Sequence, residues 1–239
     1  MNQNNHTVAS SYEFCRVKKT IRNRTVLAAM TNKQSYNNGI MSKEEIDWLT
    51  ARAKGGFGIV TTAATNVSIE SKAWNGEFGV YDDIHIPSLK KLTQSIHKTE
   101  SLIFAQLFHG GMRCPEKITG STPISASILE CKESETGFSK EASIQDINKI
   151  IDDFTSAAIR CVDSGFDGIE LHGAHGYLIS QFLGSKTNLR KDEWGGKLKD
   201  RSKLLVKICD NIKSNVPESF IIGVRISPEI DSLGIHLNE

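Results

Sequence analysis

The chain has almost no excess charge of either sign: 29 basic side chains stand against 28 acidic ones in 239 residues. That balance excludes the basic footprint of a nucleic-acid binder and of a protein held to an anionic membrane surface. No CxxC pair is present, and the five cysteines, Cys15, Cys114, Cys131, Cys161 and Cys209, are odd in number and scattered. A disulfide framework is thereby excluded, and free thiols in a reducing compartment are expected. Residues 1–20 are polar and lack an apolar signal core, and no apolar run approaches transmembrane length. A soluble, cytoplasmic protein is the expectation. Glycine-rich phosphate loops are missing too. With no GxGxxG and no GxxxxGK[ST], a doubly wound nucleotide-binding sheet would lack its phosphate turn.

What remains is a regular alternation. Residues 1–20 read as a loose lead-in. Arg24–Ala29 reads as a first strand ending at Met30-Thr31, and Tyr36-Asn37-Asn38-Gly39 as a turn. Ser42 followed by Glu45 predicts a capping box. The helix it opens carries Ile46, Leu49 and Ala53 on one face and stops at Gly55-Gly56. Phe57–Thr62 predicts a second strand. Pro87 opens a helix with Leu89, Leu92 and Ile96 in register, and Leu102–Leu107 predicts a third strand. Ser143, with Asp146 three residues on, caps a long helix whose buried face carries Ile147, Ile150, Ile151, Phe154, Ala158, Cys161 and Val162. Gly165 ends it, and a fourth strand runs to about Leu171. A helix with Leu204, Leu205, Ile208 and Ile212 on one side precedes a fifth strand, Phe220–Ile226. Ser227–Glu239 reads as a loop with no element of its own. Two excursions, 110–140 after strand three and 185–196 after strand four, interrupt the rhythm as long loops that serve as walls or lids do.

Five strands alternating with four helices argue a parallel sheet with right-handed crossovers. Without a phosphate turn, the expected architecture is a (β/α)8 barrel. Such a barrel takes about 250 residues and eight units, so with five strands in 239 residues either the loops take up the length or the chain stops early.

The conspicuous polar residues all fall at strand ends. Thr31 follows strand one, Ala63-Ala64-Thr65-Asn66 strand two, Gln106 and His109 strand three, and Arg225 strand five. Strand four is followed by Glu170-Leu171-His172-Gly173-Ala174-His175-Gly176-Tyr177-Leu178, with two imidazoles and a phenol close together. In a barrel these positions meet at the C-terminal mouth, where the chemistry sits. A planar heterocycle with an amide-like edge suits the set. Gln106 offers donor and acceptor side by side, Thr31 a hydroxyl, Ala64 room for a flat ring, and Arg225 a permanent charge near the N1–C2=O region of a flavin. His172 and His175 can together polarise a carbonyl or nitro oxygen, and Tyr177 can protonate the α carbon of an activated C=C. A metal site built on His172 and His175 lacks a carboxylate or cysteine at ligand spacing, so no metal is expected.

These stretches resemble the Old Yellow Enzyme family of FMN-dependent NAD(P)H:flavin oxidoreductases and ene-reductases, from about Asn23 to Pro228. The resemblance rests on Asn23-Arg24-Thr25-Val26-Leu27-Ala28-Ala29-Met30-Thr31, Gln106-Leu107-Phe108-His109-Gly110-Gly111, and Gly165-Phe166-Asp167-Gly168-Ile169 leading into the His172 stretch. Gln181-Phe182-Leu183, Asn188, Arg190, Asp192, Gly195-Gly196 and Val224-Arg225-Ile226-Ser227 extend it. The resemblance implies a TIM barrel with FMN at its mouth and NADH or NADPH as reductant. It implies flavin contacts at Ala28, Ala29, Met30, Thr31, Ala64, Gln106 and Arg225. It also implies substrate binding and activation by His172 and His175, with Tyr177 as proton donor. The implied substrate is a small electrophilic alkene; a homo-oligomer is a further expectation, with no nucleic acid and no membrane as partner. Asn188, Arg190 and Asp192 are expected to fix the loop after strand four. The departures are Ala29 for a usual proline, Ala63 for a frequent glutamate and Met112 where arginine is common. No cysteine cluster supports the iron–sulfur extension of some larger relatives. Family members continue through the remaining strands of the barrel, which supply the grip on the FMN phosphate, so the resemblance implies that this chain holds only about the first five β/α units, as a single incomplete domain over residues 1–239. The alternative expectation is therefore a catalytically incompetent barrel that cannot hold FMN alone.

Overall fold

The computed structural model describes residues 7–238. In chain order its elements are β1 (Tyr12–Phe14), β2 (Lys19–Ile21), β3 (Val26–Leu27), α1 (Lys43–Lys54), β4 (Ile59–Asn66), α2 (Ile86–His97), β5 (Leu102–Phe108), α3 (Glu116–Thr119), β6 (Ile124–Ser125) and β7 (Lys140–Glu141). Then follow α4 (Ile144–Asp163), β8 (Gly168–Gly173), α5 (Leu178–Leu183), α6 (Leu198–Arg201), α7 (Lys203–Asn215) and β9 (Ile221–Ile226).

The main sheet has the order β3-β4-β5-β8-β9 with every pairing parallel. Strands that follow one another in the chain through α1, α2, α4 and α7 are neighbours in the sheet, the order in which a (β/α)8 barrel is laid down. The four helices pack side by side, α1 on α2, α2 on α4 and α4 on α7. Leu49, Leu89, Leu92, Ile96, Ile147, Phe154, Ile208 and Ile212 meet the strands in one core cluster. All eight residues of β4 are buried, because it has strands on both sides and helices behind. A bulge between Thr61 and Ala64 shifts its register with β5.

Several expectations need correction. Part of the lead-in is an antiparallel hairpin, β1 with β2, that closes the N-terminal end of the sheet. Its Phe14 and Ile21 pack on Ile59 and Phe104. Lys19 donates to Asp167 at 2.6 Å, and Asp167 also accepts from His97 at 2.9 Å and from the Ile103 amide at 3.0 Å. Burial raises the Asp167 pKa, but these donors outweigh it and hold the carboxyl below its ordinary range. Residues 1–6 of the lead-in lie outside the described residues. Strand one shrinks to Val26–Leu27, whose only sheet partner among the described residues is β4. Strand two runs on through Ala63-Ala64-Thr65-Asn66, and strand four through Gly173, so His172 lies inside β8 and not after it. Ser42 caps α1 by accepting the Glu45 amide at 3.1 Å, but the Glu45 side chain does not return to Ser42. It is buried and bonds Asn32 at 3.0 Å and Ser35. The box at Ser143 and Asp146 closes in both directions, at 3.1 and 2.8 Å. The excursion 110–140 carries α3, β6 and β7, and the tail holds a short 3-10 turn, Asp231–Leu233, docked on Ser185 and Lys186. Among the described residues no helix is long and apolar enough to cross a membrane.

Candidate functional site

Everything at the mouth is organised by the turn that leaves β8. His172 sits in the strand, beside Arg225 of β9 in register. His175 and Gly176 then take left-handed backbone, with φ of 59° and 76°. For a non-glycine residue that conformation costs about 1 kcal/mol or more and must be held by its surroundings. It is: the His175 amide donates to Ser227 Oγ at 3.2 Å, and its carbonyl accepts from Arg113 Nη1 at 3.0 Å. Gln181 of α5 locks the same turn, donating to the Gly176 carbonyl at 2.8 Å and accepting the Met112 amide at 3.1 Å. The reversal folds the rings together. His172 lies 5.0 Å from His175 and 4.9 Å from Tyr177, centroid to centroid, and Phe108 meets Tyr177 edge-on at 4.5 Å.

His172, His175 and Tyr177 form one wall of a cavity of about 140 Å³, whose other lining residues are Ala29, Thr31, Ala64, Trp74 and Gln106. Strand order thus gathers most of the expected site residues from β3, β4, β5 and β8. Ala28 and Met30 do not line it. Successive residues of extended chain face opposite ways, and it is Ala29 and Thr31 that face the cavity. Arg225 also stays outside the lining. Its charge still reaches the imidazoles, as their titration below records. Gln106 donates to Glu170 at 2.6 Å, and its amide oxygen has no partner among the described residues. His109 lies off the cavity, its Nδ1 accepting the Gly111 amide at 3.0 Å. Asn188 and Arg190 hold loop carbonyls, Asn188 those of Phe182 and Trp194 and Arg190 those of Ala126 and Ala142, away from the cavity.

Trp74 is the lining residue that sequence reasoning missed. It lies between β4 and α2, in a segment without periodic pattern, and tilts against Phe108 at 5.4 Å. The buried Glu77 fixes this segment by accepting the Ala73 amide at 3.0 Å. Desolvation pushes the Glu77 pKa up to about 8.

The imidazoles at the mouth are neutral. Burial first, then His175 and Arg225, bring the His172 pKa down to about 3. Burial, Arg225 and Arg113 lower that of His175. His172 Nδ1 accepts the Ala174 amide at 3.3 Å, so the ring proton resides on Nε2, free to donate. Burial raises the Tyr177 pKa, against an opposing pull from Arg113, and the phenol keeps its proton at neutral pH. Among the described residues no three His, Cys, Asp or Glu side chains gather as a metal site. A larger cavity, about 870 Å³, opens at the other end of the sheet between the β1–β2 hairpin and Lys213–Ile222. Its lining holds none of the mouth's imidazoles or phenol.

The family model described as "NADH:flavin oxidoreductase / NADH oxidase family" matches residues 16–233. The chain is 36% identical over 214 residues to a Bacillus subtilis protein described as "probable NADH-dependent flavin oxidoreductase YqiG", covering 88% of this chain and 57% of that one. It is 32% identical over 217 residues to 12-oxophytodienoate reductase 1 of Oryza sativa, covering 88% of this chain and 56% of the rice protein. Among solved structures, the old yellow enzyme homologue of Zymomonas mobilis superposes with a TM-score of 0.88 at 25% identity, over 96% of this chain and 66% of that one. The chain therefore spans little more than half the length of these curated relatives, and its sheet corresponds to part of their TIM barrel.

Proposed function

The chain belongs to the NADH:flavin oxidoreductase / NADH oxidase family, and from that premise we propose that its mouth is the site of an FMN-dependent ene-reductase. In this reading NADH or NADPH is the reductant and a small electrophilic alkene, such as an enone, is the substrate. The observation that carries the reading is the pairing of a neutral His172, its Nε2–H free, with the protonated Tyr177 phenol 4.9 Å away. Both stand over a floor of small and amide side chains.

The residues present fit the ring of FMN. Ala29 and Ala64 leave a wall without bulk, the Gln106 amide oxygen and the Thr31 hydroxyl offer hydrogen bonds to a heterocycle edge, and Arg225 has no carboxylate partner among the described residues. Bound FMN supplies the hydride. The chain's own groups do the rest. His172 and His175 donate to the substrate oxygen and draw electrons from the conjugated double bond, so the β carbon accepts hydride. Because both rings are neutral, they polarise the oxygen without delivering a proton to it. Tyr177 gives its phenolic proton to the α carbon. The Arg113 guanidinium, 4.8 Å from the Tyr177 ring centroid, stabilises the phenolate left behind.

One observation favours the second reading, a chain that cannot hold FMN alone: the outer edge of β9 is unpaired among the described residues, and its Val224 and Ile226 are 43% and 57% exposed. A visible spectrum decides. The chain is mixed with excess FMN and desalted. A flavin band that bleaches with NADH or NADPH and returns with cyclohexenone is the expected result. Loss of the band on desalting would establish the second reading. A cytoplasmic location belongs to the same proposal.

A further inference from the structure

We propose that the substrate of this site carries a carboxylate, and that Arg113 receives it in a second cavity on the far side of His175. The inference rests on the ene-reductase reading and adds the substrate class.

The second cavity has a volume of about 430 Å³, and its wall joins Arg113, His175, Ser227 and Ser232 with the apolar Ile230 and Leu233. His175 lines this cavity and the smaller one alike. A molecule whose oxygen rests on His175 thus has room to extend past it. The apolar residues suit a short hydrocarbon or aryl segment, and what stands at the rim is a cation.

Arg113 is fixed yet uncompensated. Its guanidinium lies over the Tyr177 ring at 4.8 Å, and Nη1 donates to the His175 carbonyl at 3.0 Å. A guanidinium carries five N–H donors, and this contact uses one. No carboxylate lies within ion-pair distance of Arg113 among the described residues. The acids of the neighbouring tail are engaged elsewhere, Asp231 with Lys186 at 3.3 Å and Glu229 with His236 at 4.0 Å. Other arginines of the fold do have such partners: Arg160 pairs with Asp83 at 2.7 Å and Arg190 with Asp192 at 2.6 Å. Among the described residues the Ser232 hydroxyl, which lines the same cavity, is likewise without a partner. A planar fork held in place, with unused donors facing a cavity, is the arrangement that binds an oxyanion in a bidentate manner. The oxyanion can come from the alkene or from the phosphates of the nicotinamide reductant. The position against His175 and Tyr177, the groups assigned to the alkene, favours the alkene.

The test uses the full chain with FMN added and a matched pair of probes, 4-carboxycinnamaldehyde and its methyl ester, titrated by calorimetry. The acid is expected to bind at least about tenfold more tightly than the ester, as a charge-assisted bidentate pair does. The ratio should fall toward one in Arg113→Gln, and also in Ser232→Asp, which leaves Arg113 in place and sets a repelling charge in the cavity. Equal binding of acid and ester by the unaltered chain, or a preference that survives both substitutions, would overturn the proposal. So would substitutions that weaken NADH or NADPH about tenfold and leave the acid-to-ester ratio untouched, because the oxyanion would then be the reductant's. An ester that does not bind at all instead defeats the ene-reductase reading of His172 and His175, while the acid still reports on Arg113.

Discussion

Strands β8 and β9 are the same length, lie side by side, and pair in parallel from Gly168↔Ile221 to Gly173↔Ile226. Their fates differ. All but one residue of β8 are buried, whereas none of β9 is. Their apolar content does not explain this, since β9 reads Ile-Ile-Gly-Val-Arg-Ile and is the richer in β-branched residues. The difference is the neighbour. β8 has β5 on one side and β9 on the other, and among the described residues β9 has only β8. Burial of a strand in a parallel sheet is conferred by what lies beside it, and an apolar run records only that the strand can be buried. The chemistry follows the same division. Ala64, Gln106 and His172 reach the cavity from the enclosed strands β4, β5 and β8, whereas β9 acts on it at a distance through the charge of Arg225.

The sharpest way to break the comparison is to spoil the seam between the two strands. A Cβ on Gly168 would lie 2.4 Å from the Ile221 carbonyl oxygen, against backbone that cannot give way. Gly168→Val is expected to cost about 3 kcal/mol, read from urea unfolding midpoints. A second effect comes with pH. His172 and His109 each titrate near 3 in the fold, against an ordinary value of 6.5. A depressed histidine contributes stability that is fully present above pH 6.5 and is lost as pH falls toward 3, by up to about 1.4 kcal/mol per unit for each ring. Glu77 works in the opposite sense. Its pKa is raised from 4.5 to about 8, so its contribution is lost as pH rises between those values. Urea midpoints measured from pH 4 to 8 should therefore rise and then decline, and a monotonic profile would contradict these assignments. A smaller change tests the reach of β9. Arg225→Gln should raise the pKa of both His172 and His175, seen by NMR titration of their ring protons. No movement would remove β9 from the site's electrostatics. The smallest effect sharpens the contrast: Val224→Thr, at a position 43% exposed, should change stability by no more than about 0.5 kcal/mol.

Much of this was legible in the sequence. The apolar registers of Leu89, Leu92 and Ile96 and of Ile147, Ile150 and Phe154 mark the faces that α2 and α4 bury. Once strands and helices alternate, the barrel order brings Thr31, Ala64, Gln106 and His172 together without further information. What stayed hidden depends on contacts between distant segments. Trp74 reaches the cavity because Glu77 pins the segment before it, and no periodicity marks that segment. The hairpin at the N-terminal end is held by Lys19 on Asp167, residues far apart in the chain. Arg113 stands next to Met112, where the family resemblance led to the expectation of arginine, and only the left-handed turn at His175 shows what it holds. A departure from a family motif was visible, and its consequence was not.

The central claim is that Tyr177 delivers a proton to the substrate and has no part in accepting hydride from the nicotinamide. Rapid-mixing kinetics of the two half-reactions, compared between the unaltered FMN-loaded chain and Tyr177→Phe, address it directly. Reoxidation of the reduced flavin by cyclohexenone should slow by about a hundredfold or more, as loss of a general acid does, with reduction by NADH or NADPH nearly unchanged. Equal slowing of both half-reactions, or of neither, would contradict the account.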